Sequence, residues 1–302
     1  MKKKYEFTGE IEIVYGRVLH RIRALRDFGD VKKGDLGGWI EKEDNLSHKG
    51  NCWVCDEAMV YDNAQVRDNV RICNNARIYN NAKIFDKAWV CGNARIYDDA
   101  RICDDALIYG NAQVHGEATV YENARIYDNA KVFHRAKVYG RARVYGNAWV
   151  YGNAEVFGRA RVYGTVGICK NARVYGMAHV KYGELTKDIK EDLIQYIACS
   201  LNVYPVNGKY ILYKRVNKIA KGKYISLFNP DFMYEDGKIV EVKHYDPNFK
   251  TSCSAGIHCS TPFYWDDGDT LIAVEVKIED IITCMEDKIR ARKVKVLGEV
   301  ER

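Results

Sequence analysis

The chain has 302 residues, 47% of them hydrophobic, with 4 Pro and a formal net charge of +6. That composition excludes a disordered chain, and no apolar run approaches the ~18–20 residues of a membrane-spanning helix. Met1-Lys-Lys-Lys leads into Tyr5-Glu-Phe-Thr rather than an apolar stretch, so no secretion signal is expected. The 10 Cys are then expected to be free thiols in a reducing cytoplasm, that of a host cell if a phage encodes the chain.

Residues 1–38 read as an N-terminal β cap. Ile11-Glu-Ile-Val14 and Arg17-Val-Leu-His-Arg-Ile22 alternate as strands about a turn at Tyr15-Gly16. Gly34-Asp-Leu-Gly-Gly-Trp-Ile40 then leads towards a repeat, with coiling expected from near residue 36. Ile40 and Leu46 fall one coil before Ala58 and Ala64, which assigns them the place of the small residue in the repeat.

Residues 39–182 carry that repeat. From Val54 to Val180 an aliphatic residue recurs at every sixth position, and four residues after each, through Ala178, comes Ala, with Val70 and Val166 as exceptions. A fixed period names an architecture before any local propensity does. The aliphatic residue is β-prone and points inward. Gly, Asn or Asp mostly fills the third place, where a tight corner needs φ > 0, with Glu122, His134 and Lys170 as exceptions. Ala past the corner fits a crowded interior. Each hexapeptide is thus a short strand and a corner, and three build a triangular coil. Residues 54–179 make about seven coils, a prism roughly 34 Å long at one strand spacing per coil.

The second place of each unit stacks Tyr61–Tyr79–Tyr97–His115–Phe133–Tyr151 and similar aromatic columns, which bury area between coils and offer stacking surfaces. The last place faces solvent and is rich in Lys and Arg. One column reads Arg125–Arg143–Arg161, with Lys137 and Arg173 on other coils. Residues 54–117 hold 7 Lys+Arg against 10 Asp+Glu, net −3, and residues 118–182 hold 11 against 3, net +8. Arg125, Arg143, Arg161, Lys137 and Arg173 are therefore candidate binding residues for a macromolecular partner, nucleic acid or an acidic protein.

Residues 183–201 are predicted as a capping helix and linker. Thr186 is placed at the N-cap, and Ile189, Leu193, Ile194, Ile197 and Leu201 form the apolar stripe. Residues 202–302 read as a small β-rich α+β domain, with strands near 210–213, 223–228, 232–242, 270–276 and 293–297 and a hairpin turn at Asp236-Gly237. His258, with Cys259, Cys253 and His244 nearby, is its candidate binding residue. A metal site is not expected there, nor at Cys52-Trp-Val-Cys55, whose two Cys take an inward and an outward place of the repeat.

Units such as Val150-Tyr-Gly-Asn-Ala-Glu155 resemble the hexapeptide-repeat, left-handed parallel β-helix family. The resemblance implies a mainly β fold of about seven to eight coils with left-handed winding. Arg21-Ile-Arg-Ala-Leu-Arg, Gly34-Asp-Leu-Gly-Gly-Trp and Cys253-Ser-Ala-Gly-Ile-His258 are similar to phage and prophage proteins of low-GC Gram-positive bacteria. Hexapeptide acyltransferases place a catalytic His at an inter-subunit groove beside an extruded loop. Here no loop interrupts the repeat, and His115, His134 and His179 take ordinary repeat places. Leu212-Tyr-Lys-Arg215, Phe249-Lys-Thr-Ser-Cys-Ser254 and Glu299-Val-Glu301 resemble the three motifs of ADP-ribosyltransferases. The reading adopted is a non-enzymatic, phage-associated binding protein without catalytic residues, cofactor or metal. It would act in counter-defence on a host protein complex or a nucleotide signal, with room for a homo-oligomer. Acyl transfer and ADP-ribosyl transfer are the alternatives.

Overall fold

The computed structural model describes residues 3–229 and 232–300. It divides into two compact units, Met1–Val174 and Tyr175–Arg302. No helix among the described residues is long and apolar enough to cross a membrane, and no disulfide joins them.

The first unit is a parallel β-solenoid, as the period requires. Two-residue strands run from Trp53–Val54 to Arg173–Val174 and pair in parallel with the strand one coil on, such as Trp89 with Leu107 and Lys131 with Trp149. The backbone ladder is regular: Trp89 N–H donates to Ala106 O at 2.9 Å and Tyr97 N–H to Val114 O at 3.1 Å. Every inward aliphatic residue and every Ala of the repeat is fully buried. The third place has positive φ throughout, as at Asp62 (58°), His134 (58°), Gly140 (74°) and Lys170 (55°). Where it is Asp, the carboxylate accepts a backbone N–H from the next coil, as Asp98 does from Gly116 at 3.1 Å and Asp128 from Gly146 at 3.0 Å. The fourth place adds an amide column, Asn75–Asn93–Asn111–Asn129–Asn147, each side chain donating to the next at 3.0–3.3 Å.

The N-terminal strands are longer than predicted, Tyr5–Val14 and Arg17–Ala24, and turn at Tyr15-Gly16. Coiling begins at Leu36–Ile40 as expected, but the register differs. Ile40 pairs with Val60 and Leu46 bridges Val66, so both take the aliphatic place rather than that of Ala. The first coil is thus two residues longer than its successors. The excess is absorbed between Leu46 and Trp53, since Trp53 already pairs with Arg71 at the ordinary spacing. Gly50 sits in this detour at φ +64°, and a Cβ there would lie 2.1 Å from Asp68 O.

In the second unit the helix is shorter than the predicted segment 183–201. It spans Leu193–Leu201, and its N-cap is Asp192, which accepts Gln195 N–H at 2.9 Å, not Thr186. Asp188 turns the preceding chain by accepting Lys190 N–H at 2.8 Å, so Asp side chains compete with helical bonding over these residues. The helix packs on His179–Val180, Glu184–Leu185 and Ile281–Met285. A six-stranded sheet follows in the order Met233–Glu235, Lys223–Ile225, Lys209–Ala220, Thr270–Lys277, Lys293–Glu299, Ile239–Glu241, beside a three-stranded sheet of Ile257–Cys259, Lys288–Ala291 and Ile281–Met285. Asp236-Gly237 is not a hairpin turn. Its flanking strands stand at opposite ends of the sheet order, so the sheet curls to bring its ends together. Gly237 N–H to Val296 O (3.0 Å) and Val296 N–H to Lys238 O (2.9 Å) tie the link down.

Candidate functional site

Register brings the predicted cationic row together. Arg125 pairs with Arg143 and Arg143 with Arg161 on one face of the solenoid. Each lies one residue before a buried Ile or Val, so alternation along the strand turns it outward. Arg125 and Arg161 are exposed and Arg143 half-buried. Among the described residues no carboxylate pairs with any of the three. Two residues beyond each runs a parallel column of tyrosines: the rings of Tyr127 and Tyr145 stand 4.8 Å apart and within 4° of parallel, and those of Tyr145 and Tyr163 4.9 Å apart. The face therefore offers a column of cations beside a column of rings.

Lys137 and Arg173 do not join that row. They lie on another face and flank Glu155, at 3.7 Å and 3.3 Å from its carboxylate. Glu155 thus relieves that face, whereas no carboxylate among the described residues pairs with the three arginines.

The histidines of the repeat are held by their neighbours. His115 stacks between Tyr97 and Phe133 at 4.5 and 5.1 Å, and burial lowers its pKa despite Asp98 at 3.6 Å. His134 occupies a corner. In the second unit, His179 Nδ1 lies 3.1 Å from Asp287, which also meets Lys181 at 3.2 Å. Cys52 is buried with its sulfur 3.3 Å from Lys4 Nζ, whereas Cys55 turns outward beside Cys73. Cys55, Asp56 and Cys73 form one set of three possible metal ligands, and Asp86, Cys103 and Asp104 another. Each set is one ligand short of the four that a structural zinc site takes.

His258 lies on the strand Ile257–Cys259 and lines a cavity of about 510 Å³. Sequence reasoning singled out His258 but missed Lys214, Trp265 and Lys288, which line the same cavity. One signal existed for Lys214. Tyr210, Leu212, Lys214 and Val216 share the inward phase of one strand, and all four are buried. Ser254 lines this cavity, but Arg215 and Glu299 do not: Arg215 donates to Gly268 O and Glu299 pairs with Lys218. Glu301 lies outside the described residues.

Burial, reinforced by Lys214, Lys288 and Arg290, pushes the His258 pKa down to about 4 from 6.5. The unfolded chain binds a proton below pH 6.5 that the folded chain refuses until about pH 4. His258 therefore contributes stability above pH 6.5 that is lost as pH falls through this window, on the order of 2–3 kcal/mol. Urea unfolding at pH 7 and pH 4.5 checks this: wild type should lose more stability between the two than His258→Gln. Equal losses would contradict it.

Residues 100–116 and 136–152 match the model of the YdcK Beta solenoid repeat family. Over 40 residues the chain is 48% identical to the "Uncharacterized acetyltransferase YdcK" of Escherichia coli (strain K12), covering 13% of this chain and 12% of that protein's length. Together with the coil register, these matches make the chain a repeat β-solenoid protein, similar to the YdcK family in part of its repeats.

Proposed function

We propose that the chain is a non-enzymatic binding protein whose three-arginine face engages a polyanion, either a nucleic-acid backbone or an acidic protein surface. The observation that carries this reading is the register of Arg125, Arg143 and Arg161 on one face without a paired carboxylate among the described residues. Like charges one strand spacing apart repel by roughly 1 kcal/mol even in water. A partner's phosphates or carboxylates would relieve that repulsion, and counterion release would make the affinity fall as salt rises. The tyrosine column alongside adds ring faces on which bases can stack. A phage-associated role in counter-defence, blocking a host complex in the host cytoplasm, rests on the resemblance of the Gly34–Trp39 and Cys253–His258 segments to phage proteins.

The test is binding of fluorescent single-stranded oligonucleotides and acidic polypeptides across a salt series. Arg143→Glu with Arg161→Glu should weaken the better ligand at least about tenfold at low salt, with thermal stability within about 1 kcal/mol, as for most surface changes. Undiminished binding by the double variant would reduce the face to a solvated wall.

Acetyl transfer is the second reading, favoured by the name of the relative that shares the 40-residue stretch. Acetyl transfer from acetyl-coenzyme A to an amine acceptor, sensitive to His115, His134 or His179 substitution, would displace the non-enzymatic reading.

A further inference from the structure

The second unit holds a cationic, ring-walled cavity whose electrostatics are incomplete. Its volume of about 510 Å³ lies in the range of small-molecule sites. Two lysines line it, Lys214 and Lys288, only 6% and 8% exposed, and no Asp or Glu is among its described lining residues. Lys214 has no carboxylate partner among the described residues. Its ammonium donates to His258 O at 3.2 Å and lies 5.7 Å from the ring centres of both Tyr234 and Trp265. Lys288 donates to Cys253 Sγ at 3.2 Å and Tyr264 Oη at 3.4 Å, and meets Glu286 only at 3.8 Å.

A buried ammonium without a counter-ion is costly, and ring faces offset only part of that cost. Two further polar groups are left over. His258 Nε2 and Trp265 Nε1 are buried and meet no hydrogen-bond partner. Both atoms are closed to solvent, so they stand in the wall behind the lining surface. The cavity therefore asks for an anion to meet Lys214 and Lys288. Tyr234 and Trp265 leave a planar apolar body as the other half of the ligand.

From this geometry we infer that the cavity binds a small ring-bearing anion, the chemistry of a nucleoside phosphate, with Lys214 and Lys288 on the phosphate and Trp265 on the ring. The inference goes beyond the arginine face and uses none of its residues, so either can fail alone.

The test is calorimetric titration of the full chain with the four nucleoside 5′-monophosphates, the matching nucleosides, phenyl phosphate and inorganic phosphate. At least one ring-bearing phosphate should bind about tenfold or more tightly than its nucleoside and than inorganic phosphate. Phenyl phosphate matching every nucleotide would assign the site to aromatic phosphates at large and overturn the nucleoside assignment. Lys214→Met keeps the length of the side chain and removes the charge, so it should lose that affinity by tenfold or more. If it does not fold, Lys288→Met and Trp265→Leu carry the same expectation. Arg143→Glu with Arg161→Glu should bind the monophosphate like wild type. The inference is overturned if no ring-bearing phosphate binds, if inorganic phosphate binds as tightly as any of them, or if the folded lysine and tryptophan variants bind like wild type.

Discussion

Replacing Ala112 and Ala130 together with Leu is expected to destabilise the solenoid by more than the roughly 2–6 kcal/mol that two independent sites would sum to, since overpacking one well-packed site costs about 1–3. Both alanines are fully buried, and they lie one coil apart on the same interior column. A leucine at 112 can escape only by pushing its column neighbours, and a second leucine at 130 closes that route. The pair should therefore cost more than the sum of the singles, as substitutions in contact do. Against a total stability of roughly 5–15 kcal/mol, the double variant would be near the edge of folding. Urea unfolding of both singles and the double measures this directly. Additive or negligible losses would mean that the interior has slack where full burial implies none.

Gly50→Ala is the second large effect, and Gly16→Ala is its control. Both glycines have positive φ, +64° and +79°, so either alanine incurs the left-handed penalty of about 1–2 kcal/mol. Around Gly16 nothing lies within 4 Å of the added Cβ, whereas at Gly50 it would lie 2.1 Å from Asp68 O. A backbone oxygen cannot swing aside like a side-chain tip, so the detour or the coil beneath it must shift. Gly50→Ala is expected to cost about 3 kcal/mol or more, and Gly16→Ala about 1. Thermal melts compare them, and equal costs would show that the detour has room to move.

The prism was legible because its information is redundant. Val54, Val60 and their successors repeat one instruction at a fixed interval, so a single exception such as Val70 or Val166 leaves the reading intact. Where an instruction occurs once, the sequence is a weaker guide. Nothing in Ser47-His-Lys-Gly-Asn51 reveals that two residues must be absorbed there. That fact lies in the pairing of Leu46 with Val66. Asp236-Gly237 carries ordinary hairpin chemistry, but a curled sheet uses the same tight link to join its two ends. Of the apolar stripe after Thr186, Ile189, Ile197 and Leu201 are buried but Ile194 is exposed, and Asp188 and Asp192 hold backbone N–H groups and delay the helix to Leu193.

The candidate sites divide on the same line. The arginine row is periodic, so its residues could be named from spacing alone, and so could the column Lys137–Glu155–Arg173, whose members are also one coil apart. The cavity of the second unit gathers Lys214, Tyr234, His258, Trp265 and Lys288 from five separate segments. The grouping of His258 with Cys253 and His244, which line it too, and the inward phase of Lys214 were its signals in the sequence.

The one-coil register also governs which length changes this chain can tolerate. Excising three consecutive hexapeptides would shorten the solenoid by one storey and return every later residue to its own face. Excising one hexapeptide would keep the inward and outward pattern intact but turn every later unit onto the adjacent face. Arg161 would then leave the column of Arg125 and Arg143, although every hexapeptide still read correctly. Natural variation in repeat number should therefore come in steps of eighteen residues wherever a face is used, and in steps of six only where none is.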